Sequence, residues 1–285
     1  MKNFPRKSFI VFSLALAITA IFILWLSWAD KALTEREFEI TSDRIPSAFD
    51  GFRITQISDL HNASFGEDNK ILIEKIKDTS PDIIVVTGDV IDSRHTDIPV
   101  AEAFLEKAVT VAPVFFITGN HESRIADYPA FEEKIKKLGV TVLDNSKTEL
   151  KRNGEKINLC GVSDPAFRAD YLFGEEGAVV ARYIDELYEK DNFNILLSHR
   201  PEFFGLYAEY SFDLIFSGHA HGGQFRFPIV GGLIAPGQGL FPEFDSGLYK
   251  KENTSMIVSR GLGNSVIPLR FCNRPEIITV TLKSH

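Results

Sequence analysis

From residue 8 to residue 29 the chain carries no charged side chain, and most positions are Phe, Ile, Leu, Val, Ala or Trp. As a helix rising 1.5 Å per residue this run is roughly 32 Å long, about the thickness of a bilayer core. It offers no polar face to water, so a helix buried in a soluble protein is its poorest reading. Lys2, Arg6 and Lys7 precede it without an acidic counterpart, whereas Asp30, Lys31, Glu35, Arg36 and Glu37 after it are mixed in sign. The positive-inside bias then predicts a single-pass cell-membrane anchor with a cytoplasmic N-terminus and everything after the anchor extracytoplasmic. Trp25 and Trp28 suit the outer interface. A cleaved signal peptide, giving a secreted protein, is the competing expectation; the run exceeds a typical signal core and no clean small-x-small site follows it. The expected division is 1–30 for the cytoplasmic end and transmembrane anchor, 31–50 for a short linker and first strand, and 51–285 for one large domain.

Beyond the anchor the pattern changes to short apolar runs alternating with helical spacing. Residues 36–41 alternate as a strand does. The runs 53–58 (RITQIS), 83–87 (IIVVT), 114–118 (VFFIT), 157–161, 194–198 (NILLS) and 213–217 (DLIFS) read as buried strands. Residues 70–78, 100–110, 128–138 and 176–189 carry helical spacing, with Gly139 placed as a C-cap, and 256–260 and 277–282 add closing strands. Strands alternating with helices predict a layered α/β domain with a largely parallel portion.

Composition adjusts this picture only slightly. The 285 residues are 44% hydrophobic and 25% charged, ordinary for a globular chain, and the part beyond the anchor is long enough for a substantial core. A net charge of −8 argues against a nucleic-acid partner, which calls for a dense basic patch. It does not argue against a phosphate ester, because bound cations reverse the field locally. Cys160 and Cys272 form no CxxC pattern; a disulfide and two buried thiols both remain open. There are 24 Phe, and the segments 167–173 and 225–244 read either as core packing or as lipid-facing or substrate-lining loops.

The chemistry concentrates where strands end. Asp59-Leu-His61 follows the first buried run, Gly88-Asp89-Val-Ile-Asp92 the second and Gly119-Asn120-His121-Glu122 the third. Ser198-His199-Arg200 and Gly218-His219-Ala-His221-Gly-Gly follow two later ones. Carboxyl ends of strands in α/β sheets open onto a common crevice. Five of the seven histidines fall in these segments, while His95 reads as a solvated loop residue and His285 as a terminal one. Imidazoles with carboxylates and one amide suit Mn, Fe or Zn better than the all-oxygen preferences of Ca or Mg. Residues i and i+2 of an extended segment share a side, so Asp59 with His61, and His219 with His221, each present two donors together. Seven donors exceed what one tetrahedral site needs and suffice for two divalent ions.

These five segments, in this order, resemble the calcineurin-like metallophosphoesterase superfamily, whose pattern is DxH, GDxxD, GNH[DE], H and GHxH. The resemblance spans residues 59–221 with no ligand position missing, and the lead-in DGFRITQISDLH and the ending SGHAHGGQ are similar to its bacterial membrane-associated phosphodiesterases. It implies a four-layer α/β/β/α sandwich preceded by the transmembrane helix. It implies one metal on Asp59, His61 and His221 and another on Asn120, His199 and His219, with Asp89 bridging. His121 takes the position that protonates the leaving oxygen, and Asp92 and Glu122 orient the ligands or His121. Arg200 is a candidate phosphate contact, with a salt bridge as its plainer role.

The expected activity is hydrolysis of a phosphoester, either a phosphodiester or a pyrophosphate, with two cations as cofactor. The resemblance and the anchor together point to a lipid or glycolipid substrate such as a UDP-diacylglucosamine-like compound. Nucleotide-linked lipid precursors are cytoplasmic, so an extracytoplasmic phosphodiesterase acting on lipid or wall polymers fits the topology better. Two alternatives stand beside it: a non-catalytic, metal-stabilised membrane receptor, whose mark would be a lost ligand, and a protein phosphatase.

Overall fold

The computed structural model describes residues 6–167, 175–264 and 269–285, apart from the side chains of residues 6–9 and 27. The aromatic segment 167–173 therefore lies, beyond Phe167, outside the described residues.

Helix α1 (Arg6–Ala29) leads into strand β1 (Thr34–Thr41), and then come β2 (Arg53–Ile57), α2 (Lys70–Asp78), β3 (Ile83–Thr87), α3 (Ile98–Ala108), β4 (Val114–Ile117), α4 (Tyr128–Lys137) and β5 (Thr141–Val142). The second half runs β6 (Ser146–Arg152), β7 (Glu155–Gly161), α5 (Glu176–Asp185), β8 (Asn194–Leu197), α6 (Phe204–Glu209) and β9 (Leu214–Ser217). Two small hairpins follow, β10 (Arg226–Phe227) with β11 (Gly231–Gly232) and β12 (Ile234–Ala235) with β13 (Gly239–Leu240). The chain closes with β14 (Gly247–Lys251), β15 (Thr254–Val258) and β16 (Glu276–Lys283).

Two six-stranded sheets result, ordered β1-β16-β2-β3-β4-β5 and β14-β15-β9-β8-β7-β6. Strands β2 to β5 are parallel, as are β15, β9, β8 and β7; β16 lies antiparallel to β2, and β6 and β14 are antiparallel edges. The parallel strands are buried on both faces, which explains their unbroken apolar runs. Between the sheets lies one core, including Ile54, Val85, Ile117, Leu159, Leu197 and Phe216. Outside the first sheet a second core packs Ile73, Ile76, Phe104, Phe131 and Ile135 from α2, α3 and α4. Outside the other sheet a third packs Val180, Ile184, Phe204 and Tyr207 from α5 and α6. The layering is helix, sheet, sheet, helix.

Several boundaries differ from the sequence pattern for identifiable reasons. Helix α3 begins two residues early because Pro99 sits in its first turn, where a missing N–H costs nothing. Helix α5 stops at Asp185 rather than 189, since Asn194 accepts from the Glu189 N–H at 3.2 Å and donates to its carbonyl at 2.8 Å. That exchange draws residues 186–189 off the helix axis. Cys160 and Cys272 form no disulfide; Cys160 is buried, with its thiol pushed up to about 12 by burial, but Cys272 is exposed rather than buried.

Helix α1 exposes nearly all its described apolar side chains, from Ile10 to Leu24, and Trp28. Among the described residues no helix is long and apolar enough to cross a membrane, the side chains described in α1 being those of residues 10–26, 28 and 29. Its C-terminal end is tied to the domain. Asp30 Oδ1 accepts the Arg270 N–H at 2.8 Å, and Arg274 donates to the carbonyls of Ala32 and Leu33 at 2.8 and 3.1 Å.

Candidate metal centre

Five strand exits meet along the top of the two sheets. Strands β2, β3 and β4 of the first sheet deliver residues 58–61, 88–92 and 118–122, and β8 and β9 of the second deliver 198–200 and 218–221. The turns are tight. Asp59, His61, Asp89, His219 and His221 all take positive φ, between 45° and 63°. Each such residue costs on the order of 1–3 kcal/mol, a strain that native chains concentrate at functional sites. Gly119 leaves room for this crowding: a Cβ there would lie 2.7 Å from the Asp89 nitrogen.

All seven expected ligands are buried, none of them more than 6% exposed, and six of them converge. His61 Nε2 and His221 Nε2 are 3.2 Å apart, and Asp59 Oδ1 is 3.4 Å from the latter and 3.9 Å from the former. On the other side, His199 Nε2 and His219 Nδ1 are 3.1 Å apart. Asp89 Oδ2 lies between the two sets, 3.6 Å from His61 Nε2 and 3.2 Å from His199 Nε2. Its other oxygen, Oδ1, is occupied by the His121 backbone N–H at 2.8 Å. Asp59 with His61 and His221, and Asp89 with His199 and His219, therefore form two groups of converging donors. His61 also belongs to a third group with Asp92 and His121, whose ring meets the His61 ring edge-on at 4.5 Å.

The donor set fits divalent cations on its own chemistry. Among the described residues no donor bonds to the buried Asn120 Oδ1, and an amide oxygen can only accept. His199 Nδ1 lies 2.7 Å from the Thr87 carbonyl, which fixes a proton on that nitrogen and turns the Nε2 lone pair toward Asp89 and His219. A lone pair aimed at a carboxylate needs a positive charge between them. A proton takes that place here: burial opposes it, but Asp89 and then Asp59 raise His199 to about 10. Burial would raise Asp89, yet His199 holds it well below the ordinary carboxylate range. Burial lowers His61 to about 3 and depresses His219 and His221 strongly, keeping these imidazoles neutral as metal coordination requires. Burial raises Asp59 to about 6.

The neighbouring residues hold this arrangement. Glu122 Oε2 accepts the N–H groups of Asp89 and Gly119, both at 2.8 Å, and Oε1 that of Ile91 at 3.2 Å. One carboxylate thus staples the loops after β3 and β4. Asp92 Oδ1 accepts the Arg94 N–H at 2.9 Å and lies 3.4 Å from His121 Nδ1. Arg200 is engaged by a bidentate pair with Asp164, Nε to Oδ2 at 2.7 Å and Nη2 to Oδ1 at 2.9 Å. His95 is exposed, 3.6 Å from Asp92 Oδ2.

Sequence reasoning missed four supporting residues. Ser58 Oγ donates to Asp59 Oδ2 at 2.6 Å, Thr87 supplies the carbonyl for His199, and Ser93 donates its N–H to His121 Nδ1 at 3.0 Å. Buried Asn273 donates from Nδ2 to the carbonyls of His221 at 2.7 Å and Gln224 at 3.1 Å. The first three adjoin the motifs and could have been suspected; Asn273, 52 positions from His221, carries no local signal.

The comparisons with known proteins agree with this geometry. The family model described as calcineurin-like phosphoesterase matches residues 52–223. The chain is 35% identical over 254 residues to the uncharacterized metallophosphoesterase YkuE of Bacillus subtilis, covering 87% of this chain and 85% of that protein. It is 29% identical over 280 residues to a transmembrane protein with metallophosphoesterase domain from Danio rerio, covering 95% of this chain and 62% of that one. Among solved structures, TT1561 of Thermus thermophilus shares the fold, with a TM-score of 0.52 and 15% identity over 74% of this chain and 90% of that chain. On the extent of these matches, this chain belongs to the calcineurin-like phosphoesterase family of metal-dependent hydrolases.

Proposed function

We propose that the chain hydrolyses phosphodiester or pyrophosphate bonds of an amphiphilic substrate, a lipid or a lipid-linked polymer, at the extracytoplasmic face of the membrane. Asp59, His61 and His221 would hold one divalent cation and Asn120, His199 and His219 another, with Asp89 within reach of both groups. The observation that carries this is Asp89 Oδ2, set 3.6 and 3.2 Å from imidazoles of the two groups while Oδ1 is occupied elsewhere. Two cations, Mn, Fe or Zn by donor chemistry, would supply positive charge to the phosphoryl group and acidify the attacking water.

The residues of the chain do the rest. Glu122 keeps the loops after β3 and β4 in register, so Asp89 and Asn120 stay fixed relative to each other. His121 accepts the Ser93 N–H on Nδ1, so its neutral ring carries its proton on Nε2, the atom that donates to a phosphate oxygen. The imidazolium needed to protonate a leaving oxygen has Asp92 Oδ1 as its partner at 3.4 Å from Nδ1. Arg200, committed to Asp164, serves the site as a support for the loop after β8.

Helix α1 is the anchor in this reading, crossing the membrane with the domain on the extracytoplasmic side. Its supports are the uncharged run, the basic N-terminal flank and the exposure of its apolar side chains. The name of the Danio rerio relative, a transmembrane protein, is consistent with it. The test is turnover of bis-(4-nitrophenyl) phosphate by full-length protein with added Mn, alongside its metal content. Two metals per chain with metal-dependent turnover is the expected result. No turnover in a fully metallated sample, with His121→Ala behaving like the wild type, would overturn it.

A further inference from the structure

Neither the metal centre nor the anchor makes use of an apolar cavity of about 330 Å³ where α1 meets the domain. Phe22 and Leu26 of α1 form one side, and Phe225, Phe227, Leu269 and Phe271 the other. Among the described residues Arg270 is its one polar neighbour, and that guanidinium is already engaged. Buried Arg270 donates from Nε to Asn264 Oδ1 at 3.0 Å, from Nη1 to the Arg260 carbonyl at 2.8 Å, and from Nη2 to the Gly263 carbonyl.

The walls are built. Phe225 pairs with Phe271 in a parallel bridge, the Arg226 N–H donates to the Phe271 carbonyl at 2.9 Å, and Gln224 Nε2 donates to the Leu269 carbonyl at 2.7 Å. The Phe271 ring packs within 6.5 Å of the rings of Phe22, Trp25 and Phe227.

Both domain-side walls also continue into the metal centre. Phe225 follows His221 by four residues, at most about 14 Å of extended chain. Asn273, two residues after Phe271, holds the His221 carbonyl at 2.7 Å. In the other direction the cavity is flanked by exposed apolar side chains, namely those of α1 together with Phe227, Ile229, Val230 and Leu269. Ile229 stands fully out of the surface. A hydrocarbon chain entering from an apolar phase beside α1 meets, among the described residues, no polar group that must lose water.

We propose that this cavity receives an acyl chain of the phosphoester whose head group sits at the histidine cluster, so that the substrate is recognised by its tail between the anchor helix and the loop after His221. The proposal rests on the phosphoesterase and anchor reading above. A hydrocarbon tail asks only for close packing, which aromatic and aliphatic walls supply. The loop after the final histidine motif thereby gains a function that core packing does not give it.

The test uses full-length, Mn-loaded protein in nanodiscs and alkyl 4-nitrophenyl phosphates with methyl, octyl and hexadecyl chains. The wild type is expected to favour the hexadecyl over the methyl ester by at least about 10-fold in kcat/KM. Leu269→Trp, which fills the cavity, should lose that preference while turning over the methyl ester as the wild type does; Phe227→Trp is the second filling variant. A hexadecyl phosphate with a diazirine near its chain end should label residues around 225–227 and 269–271 in the wild type and not in Leu269→Trp. An equal chain-length preference in wild type and both variants, or labelling confined to the outer face of α1, overturns the proposal. Failure of the wild type to hydrolyse even the methyl ester overturns the phosphoesterase reading instead, and the labelling pattern then decides the cavity.

Discussion

The backbone N–H of Ser93 donates to Nδ1 of His121 at 3.0 Å, so the loop after β3 dictates the tautomer of a histidine in the loop after β4. Burial lowers the pKa of His121, and the positive charges of Arg124 and Arg94 lower it further against the pull of Asp89 and Asp92. The resting ring is therefore neutral at pH 7, with its proton on Nε2. Nitrogen NMR of ring-labelled protein should find that tautomer. His121→Gln should keep both metals and lose on the order of 10²- to 10⁴-fold in kcat, the usual worth of a positioned proton donor. Loss of metal with loss of rate would make His121 a ligand instead.

His199 makes metal loading a proton-releasing event. Its Nδ1 proton is committed to Thr87, so the additional proton that Asp89 stabilises sits on Nε2, the atom facing the second metal group. With the pKa at about 10, metal-free protein holds this proton at pH 8, and a cation must displace it. Calorimetry in buffers of different ionisation enthalpy should therefore show about one proton released per chain at pH 8. Apparent metal affinity should rise with pH up to about 10.

The stability of the metal-free protein runs the other way. The folded pKa of His199 lies above its ordinary value of 6.5, so this stabilisation is complete below 6.5 and disappears as pH rises through about 10. Denaturant melts of metal-stripped protein should move down over that interval, and His199→Gln should shrink the dependence, leaving below about pH 8 the share of Glu122, whose carboxyl burial raises to about 8.

Glu122 binds both loops carrying Asp89 and Asn120, through the N–H groups of Asp89, Ile91 and Gly119. Glutamine at this position must present an NH₂ group to at least one of those donors. An unsatisfied buried donor costs about 1–3 kcal/mol, so Glu122→Gln should lower unfolding stability by that amount. Metal affinity should fall by roughly 10- to 100-fold, as it does when groups supporting metal ligands are removed. Unchanged melting and unchanged metal retention would show that the staple is dispensable.

Much of this was legible in the sequence because burial and chemistry coincide there. A parallel strand covered on both faces must be apolar throughout, as in IIVVT and VFFI, and polar residues straight after such a strand stand out. Edge strands do not announce themselves in that way. Strand β6, SKTELKR, alternates between half-buried and exposed positions with mostly charged residues outside, and the search for apolar runs passed over it, although it pairs with β7 across a hairpin. The end of α5 was illegible for a different reason: it is set by the side chain of Asn194 at the start of β8, which reaches back five residues to Glu189, and no spacing of apolar residues records such a bond.

Asn273 is the clearest case of a residue that only the fold could find, and it yields the last prediction. Its Nδ2 joins the carbonyls of His221 and Gln224, and it stands beside Arg274, which holds the end of α1 through Ala32 and Leu33. His221 takes a φ of 47°, which a loosened loop would relax. Asn273→Ala leaves two buried carbonyls without this donor and should weaken the metal group of Asp59, His61 and His221 by roughly 10-fold or more. Metal titration followed by mass spectrometry should then show one tightly and one weakly held ion per chain, where the wild type retains two. Asn273→Asp should be at least as damaging, since a carboxylate cannot donate to either carbonyl. If both variants retain two ions as tightly as the wild type, the C-terminal segment only completes the fold and does not position His221.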